Sequence, residues 1–79
     1  MQRYRNLGGE SGVVAFEIGE RSLVVEFGRR TGTKERFYRY TTQSAGASNL
    51  QEMQRLARAG RGLATFISRS NPGYASRWH

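Results

Sequence analysis

Two short segments in which apolar side chains alternate constrain the fold of this chain more than any other feature. They are residues 13–18 and residues 22–27, and only Gly19-Glu20-Arg21 separates them. Alternate side chains of a strand point to opposite faces of a sheet, and three residues are enough for a tight hairpin connection. The sequence therefore predicts an antiparallel hairpin with one apolar face.

The alternation also predicts which side chains of this hairpin point toward the core. The core-facing side chains are expected to be Val14, Phe16, Ile18, Leu23, Val25 and Phe27. The opposite face of the first strand then carries Val13, Ala15 and Glu17. A two-stranded hairpin is marginal by itself, so a further strand and an apolar cover are needed on the core side.

A third strand is predicted at residues 35–41. Within it, Tyr38 and Tyr40 share one face, while Phe37 and Arg39 share the other. The two tyrosines can form a core layer or a platform on which bases stack. Burial of Arg39 in a small domain would be costly, so the core layer is favoured for the tyrosines.

The second half of the chain predicts two helices that cover the core face. Residues 42–48 are small and polar, and they are expected to form a loop. Apolar residues then recur with helical spacing over residues 50–59 and again over residues 63–67. Ser48 or Asn49 is expected to cap the first of these helices.

Gly60 and Gly62 are expected to form the corner between the two helices. Gly60 suits the left-handed position that ends a helix, and this corner is favoured over a phosphate-binding helix start. The predicted fold class is therefore α+β, a three-stranded antiparallel meander covered on one face by two C-terminal helices. Residues 1–12 are predicted to form a basic N-terminal arm, and residues 13–79 a single domain.

The charge of the chain favours a polyanionic partner. Thirteen basic residues face six acidic ones, which gives a net charge of +7 and an isoelectric point near 11.1. Twelve of the basic residues are arginine, whose planar fork binds phosphate and stacks on bases. A biased coding composition would also raise arginine over lysine, but it would not create the excess of positive charge. The chain has no cysteine and no apolar run of membrane-spanning length, so a cytoplasmic protein without a membrane partner is expected.

Residues suited to catalysis are scarce in this sequence. The only histidine is His79, there is no aspartate, and the six glutamates are scattered. Nucleophilic, acid–base and metal-assisted chemistry each needs such groups in a cluster. A functional carboxylate pair between Glu17 and Glu26 is disfavoured relative to solvated strand charges. The sequence therefore predicts a protein that is not an enzyme and that uses no metal or cofactor.

Two basic surfaces are predicted to bind the partner. The first combines the loop at residues 28–34 with the outward face of the third strand, and its residues are Arg29, Arg30, Lys34, Arg36, Phe37 and Arg39. The second is a stripe along the helices, formed by Arg55, Arg58, Arg61 and Arg69. An aromatic ring among cations is typical of proteins that bind single-stranded nucleic acid. An ordinary solvated basic surface is the alternative interpretation of both.

The order of these motifs resembles the KTSC domain family. A strand with Leu23-x-Val25-x-Phe27 is followed by Tyr38-Arg39-Tyr40, which matches the family's central Tyr-x-Tyr, and then by Gly60-x-Gly62-Leu63, Phe66-Ile67 and Tyr74. The family is named for the C-terminus of some lysyl-tRNA synthetases and also occurs as small bacterial proteins. The resemblance covers roughly residues 13–74. It implies a KTSC-like domain that contacts RNA, in which Tyr38, Tyr40, Gly60 and Gly62 are the structural motif.

The predicted function is non-catalytic binding of RNA or another nucleic acid through an arginine-rich surface. The alternative is a protein–protein interaction module, such as a cellular or phage-encoded adaptor or inhibitor. It would bind an acidic protein through an exposed patch of Val13, Val24 and Phe37 or through an open strand edge. Closure of the same face in a homodimer is a third alternative, so the sequence is compatible with a monomer or a homodimer.

Overall fold

The computed structural model describes residues 1–8, 12–28 and 36–78 of the chain. Its strands are β1 (Gln2–Arg3), β2 (Val13–Gly19), β3 (Ser22–Phe27), β4 (Phe37–Thr41) and β5 (Ser76–Trp78). Its helices, all between β4 and β5, are α1 (Thr42–Ala45), α2 (Ala47–Ala59) and α3 (Leu63–Ser70). The strands form one antiparallel sheet in the order of the sequence. No helix in the described ranges is long and apolar enough to cross a membrane.

The α+β class and the antiparallel sheet are confirmed, but the sheet has five strands rather than three. The predicted meander is its centre, β2 to β4, and the strands β1 and β5 extend it at the two edges. These edge strands have two and three residues, which is too short for an alternating pattern to be recognised. A third helix, the four-residue α1, also precedes the two that the sequence predicts.

A bulge in β2 reverses the predicted direction of two valines. Val13 pairs with Phe27 and Ala15 pairs with Glu26, so Val14 is an extra residue between two consecutive pairs. Such an extra residue shifts the alternation of side chains by one position. Val13 is consequently buried in the core at 1% exposure, whereas Val14 is 41% exposed. The prediction that Val14 faces the core and Val13 faces outward was therefore wrong.

The register of β3 and β4 places both tyrosines of β4 on the core face. Leu23 pairs with Tyr40, and Val25 pairs with Tyr38. Tyr40 is buried at 3% exposure, while Tyr38 is partly buried against the same core. The rings of Tyr38 and Tyr40 lie nearly parallel, with centroids 6.4 Å apart. The predicted direction of the two tyrosines, toward the helices, is confirmed.

The segment assigned to a basic arm contributes to the core. Strand β1 pairs with β2, and the next residue, Tyr4, is buried at 4% exposure with its ring edge-on to Phe16. The hydroxyl oxygen of Tyr4 accepts a hydrogen bond from the backbone N–H of Leu63. The N–H of Leu7 donates to the carbonyl oxygen of Gly60 at 2.7 Å. Residues 2–7 therefore connect the first edge of the sheet to the helical layer.

The helices begin earlier than predicted. Thr41 and Ser44 form a reciprocal capping box that starts α1 inside the predicted loop, at residues 42–48. Helix α2 then begins directly after Gly46 without a side-chain cap, so the predicted capping by Ser48 or Asn49 was wrong. The side-chain amide of Asn49 instead donates to the carbonyl of Ala45.

The corner between α2 and α3 has the left-handed conformation that was predicted for Gly60, and Gly62 shares it. Gly60 ends α2 at φ 77°, and Gly62 precedes α3 at φ 80°, both in the left-handed region. Leu50, Met53 and Ala57 of α2 are buried in the core together with Leu63 of α3. This core cluster lies on the face of the sheet that carries Leu23, Val25 and Tyr40. The described helices therefore pack on a single face.

Candidate nucleic-acid interface

The opposite face of the sheet, here called the open face, has a continuous row of side chains across all five strands. Successive cross-strand pairs define this row, which consists of Arg3, Ala15, Glu26, Phe37 and Trp78. The next row contains Glu17, Val24, Arg39 and Ser76. No described residue of a helix belongs to either row. The open face therefore presents a mixture of aromatic and charged side chains.

Two of these side chains form an aromatic platform, defined here as Phe37 and Trp78. Their ring centroids are 5.5 Å apart and their planes differ by 13°, so the rings stack across neighbouring strands β4 and β5. Trp78 is 41% exposed and Phe37 is half-buried. Sequence reasoning selected Phe37 as a contact residue but missed Trp78. The sequence shows only that an aromatic residue lies near the C-terminal end of the chain. Its place on the open face depends on the pairing of β5 with β4.

Arginine side chains flank the aromatic platform. Arg39 is exposed and lies opposite Ser76 on β5, in the row next to Phe37. One terminal nitrogen of Arg36 donates to the Oε2 atom of Glu26 at 3.0 Å, so that cation is already paired with a carboxylate. The Nε atom of Arg36 is buried and has no hydrogen-bond partner. Of the two predicted cations of this surface that the structure describes, Arg36 and Arg39, Arg39 is therefore the more accessible.

Three further predicted contact residues lie outside the described residues. They are Arg29, Arg30 and Lys34, all within the segment 29–35. The described residues on either side of this segment are Gly28, which follows β3, and Arg36, which precedes β4. Arg36 donates its backbone N–H to the carbonyl oxygen of Trp78 at 3.0 Å.

The predicted helical stripe lies on the other side of the molecule. Arg55 donates two hydrogen bonds to Glu52, at 2.9 and 2.6 Å, and this bonding holds the pKa of the Glu52 carboxyl below its usual value. Arg58 and Arg61 are exposed near the end of α2 and in the following turn. Because α2 packs on the core face, these cations and the aromatic platform cannot contact the same short ligand. The two predicted basic surfaces therefore lie on different sides of the sheet.

The apolar patch predicted for a protein partner is largely buried. Val13 is 1% exposed and Val24 is 8% exposed, so Phe37 is the member of that patch with an accessible side chain. Val13 is withdrawn into the core by the bulge in β2, and Val24 lies between Glu17 and Arg39 in its row. The open face is consequently less apolar than the sequence suggests.

Tyr40 of β4 is held in its neutral form. Burial raises the pKa of the Tyr40 hydroxyl to about 12, and repulsion from the neighbouring Tyr38 and Tyr74 acts in the same direction. A phenol that stays protonated can donate a hydrogen bond as well as accept one. Tyr38 packs edge-on to both Phe27 and Tyr74, with centroids 5.4 and 5.1 Å apart.

No family model, curated protein or solved structure matches this chain. The resemblance to the KTSC family therefore stays a prediction that rests on the motifs quoted above.

Proposed function

We propose that this protein is a non-catalytic binding domain for single-stranded nucleic acid, with RNA favoured, and that it binds on the open face. The observation that carries this proposal is the stacked pair of the half-buried Phe37 and the exposed Trp78 on a sheet face that no described helix covers. Successive bases of a single strand stack on such aromatic side chains, since each base has an aromatic face whatever its sequence. A base-paired duplex keeps these faces inside its own stack, which is why a single strand is favoured.

Charge supports the same proposal. The chain has a net charge of +7, and phosphate neutralisation by arginine supplies most of the sequence-independent affinity of such proteins. Arg39 lies in the row next to Phe37, and Arg3 lies at the far end of the platform's own row. A base on the platform would therefore have guanidinium groups on the same face for the phosphates that follow it.

The test is a binding assay with short single-stranded RNA and DNA of mixed sequence, repeated over a range of salt concentrations. Affinity is expected to fall steeply as the salt concentration rises. Binding of the protein releases condensed counterions from the nucleic acid, and this release is less favourable at high salt. Trp78→Ala is expected to weaken binding by about 5- to 150-fold, which corresponds to about 1–3 kcal/mol for a stacked base. Trp78→Phe keeps an aromatic ring and is the matched control. Arg39→Gln is expected to weaken binding and to reduce the salt dependence, whereas Arg39→Lys should retain most of both.

Affinity that is independent of salt, or equal binding by the wild type and Trp78→Ala, would overturn the proposal. Trp78→Ala also removes the stack on Phe37, which is worth about 0.5–1.5 kcal/mol, so a modest fall in the unfolding midpoint is expected and binding is compared at a temperature where both proteins are folded. The alternative class, an adaptor or inhibitor, predicts capture of one acidic protein that persists after nuclease treatment. A homodimer closed through the open face predicts concentration-dependent self-association that Trp78→Ala abolishes.

A further inference from the structure

A cleft lies on the helical side of the sheet, beyond β4, and sequence reasoning did not predict it. Its volume is about 290 Å³, and we call it the tyrosine cleft. The residues that line it come from β3, β4, the end of α3 and the segment before β5, and they are Phe27, Tyr38, Tyr40, Ile67, Asn71, Pro72 and Tyr74. None of these seven described residues is acidic. Four of them are aromatic, and ligand pockets are lined predominantly by hydrophobic and aromatic side chains.

The walls of the tyrosine cleft are fixed by the backbone. The N–H of Ala75 donates to the carbonyl oxygen of Arg39 at 2.7 Å, which ties the segment before β5 to β4. A Cβ atom at Gly73 would collide with the carbonyl oxygen of Ser44, so this segment also lies directly against α1. Tyr74 is 42% exposed and forms the open side of the cleft. The cleft is therefore preformed and accessible from solvent.

The size of the cleft selects among ligands. Its volume lies at the lower end of the range for small-molecule sites, which is about 300–1,000 Å³. One planar ring fits such a space, whereas an extended proline-rich peptide needs several adjacent aromatic pockets. The parallel rings of Tyr38 and Tyr40 and the edge-on ring of Tyr74 offer stacking and edge contacts to a planar aromatic group.

The polar groups at the cleft indicate that this planar ligand carries an anion. The guanidinium carbon of Arg77 lies 5.3 Å from the centroid of the ring of Tyr74, which lines the cleft. Arg69 is in the last turn of α3, two residues before Asn71. Asn71 lines the cleft with an amide that can both donate and accept hydrogen bonds, as the edge of a base requires. Together these groups fit a nucleobase with an attached phosphate.

Strand β5 connects the tyrosine cleft to the open face. Trp78 pairs with Phe37 and belongs to the open face, while the preceding residue, Arg77, pairs with Tyr38 and points to the helical side. Adjacent residues of this edge strand thus serve both sides of the sheet. A single strand of nucleic acid that leaves the aromatic platform at β5 therefore reaches the cleft by passing around one edge of the sheet.

We propose that the tyrosine cleft receives one unstacked nucleobase, with its phosphate next to Arg77, as a second subsite for the strand bound on the open face. This inference rests on the proposed function. The cleft supplies the stacking rings, Asn71 contacts the edge of the base, and Arg77 contacts the phosphate. The subsite binds a single nucleotide without the rest of the strand, which makes it testable on its own.

The experiment uses the whole protein and the four ribonucleoside monophosphates as probes, with NMR titration of the aromatic resonances. At least one monophosphate is expected to shift the resonances of Tyr74 and Tyr38 more than those of Trp78. Tyr74→Ala is expected to weaken this binding about 5-fold or more, and Tyr74→Phe should preserve it. Asn71→Gly removes the side-chain amide, and glycine tolerates the backbone φ of 46° at this position. The variant should therefore have an altered preference among the four bases.

The outcomes separate this inference from the proposed function. If oligonucleotide binding falls with Trp78→Ala but not with Tyr74→Ala, and monophosphates leave the cleft unchanged, the subsite is rejected while the open face is retained. Loss of oligonucleotide binding in both variants, with Tyr74→Phe intact, supports both. Shifts at the cleft with a proline-rich peptide but not with a nucleotide would also reject the subsite. If Tyr74→Ala proves unfolded, Arg77→Gln replaces it as the test variant, since Arg77 is exposed. This substitution is expected to weaken monophosphate binding in the same way.

Discussion

The hydroxyl oxygen of Tyr4 accepts a hydrogen bond of 3.3 Å from the backbone N–H of Leu63, the first residue of α3. The first N–H groups of a helix have no partner within the helix, and Gly62, which precedes α3, has no side chain to serve as a cap. A tyrosine from the N-terminal segment therefore does the work of a capping residue. It also fills the core next to Phe16.

Tyr4→Phe is expected to lower the free energy of unfolding by about 1–3 kcal/mol. The ring is kept, but the N–H of Leu63 is left without its partner in a buried position. Urea denaturation at neutral pH measures the effect. Tyr74→Phe removes an accessible hydroxyl and should change the stability by only a few tenths of a kcal/mol. Equal stability of Tyr4→Phe and wild type would show that water replaces the hydroxyl.

Alkaline pH is expected to destabilise the protein through Tyr40. Its pKa is about 12 in the folded state, against about 10 for an unfolded tyrosine, and burial is the main cause. Between these two values the unfolded chain loses the proton while the folded chain keeps it, so the stability falls as the pH rises. The contribution of Tyr40 to the free energy of unfolding is intact below pH 10. Its loss reaches at most about 2–3 kcal/mol near pH 12.

Tyr40→Phe isolates this effect. The variant is expected to show a weaker loss of stability between pH 10 and pH 12 than the wild type, as measured by denaturation midpoints at several pH values. At neutral pH the two proteins should differ far less, because the ring of residue 40 stays in the core. Parallel curves for both proteins across this range would contradict the assignment.

Replacement of the two corner glycines by alanine is expected to have unequal effects. Gly60 and Gly62 both have φ in the left-handed region, so alanine costs about 1 kcal/mol at either site from the backbone alone. A Cβ at Gly60 would also lie 2.6 Å from the Cβ of Arg5, whereas a Cβ at Gly62 meets only an ordinary contact, 3.4 Å from Leu56. Gly60→Ala should therefore be the more destabilising by a further 1 kcal/mol or more.

Thermal or chemical denaturation of the two variants measures that difference. It should shrink when Arg5 is also replaced by glycine, since the colliding Cβ is then absent. If the two single variants are equally stable, the N-terminal segment moves away from the corner at little cost.

Glu26→Gln is expected to strengthen nucleic-acid binding by about 2- to 5-fold at low salt. The substitution removes a negative charge from the platform's row and releases Arg36 from its 3.0 Å ion pair. Glu52→Gln is the matched control, because Glu52 pairs with Arg55 on the helical layer. A stronger response to Glu52→Gln than to Glu26→Gln would move the interface to the helical stripe.

The direction of Tyr38 and Tyr40 could be predicted because sequence pattern and burial cost agree on it. If these residues faced outward, Arg39 would lie in the core. Because side chains alternate along β4, the core face must hold either the two tyrosines or Phe37 with Arg39. Val13 and Val14 show where the same reasoning fails. Two adjacent valines fit either face equally well, and the backbone irregularity between Val13 and Ala15 decides between them.

The candidate site was predictable only in part, because half of its aromatic platform depends on a long-range pairing. Phe37 lies in a recognisable strand, but Trp78 lies in a three-residue strand whose residues are all exposed. Such a segment has no buried face and hence no alternation to detect. The short helix α1 was missed for a comparable reason, since its capping box has Ser44 where glutamate or glutamine is the usual residue.

The single tryptophan and the four tyrosines lie on different sides of the sheet. Trp78 belongs to the open face, and the four tyrosines, all on the helical side, are Tyr4, Tyr38, Tyr40 and Tyr74. Tryptophan can be excited selectively, because its indole absorbs light at longer wavelengths than a phenol does. Emission from Trp78 will therefore report events on the open face, while tyrosine absorbance reports the core and the cleft. The unlabelled protein thus has a separate optical signal for each side of its sheet.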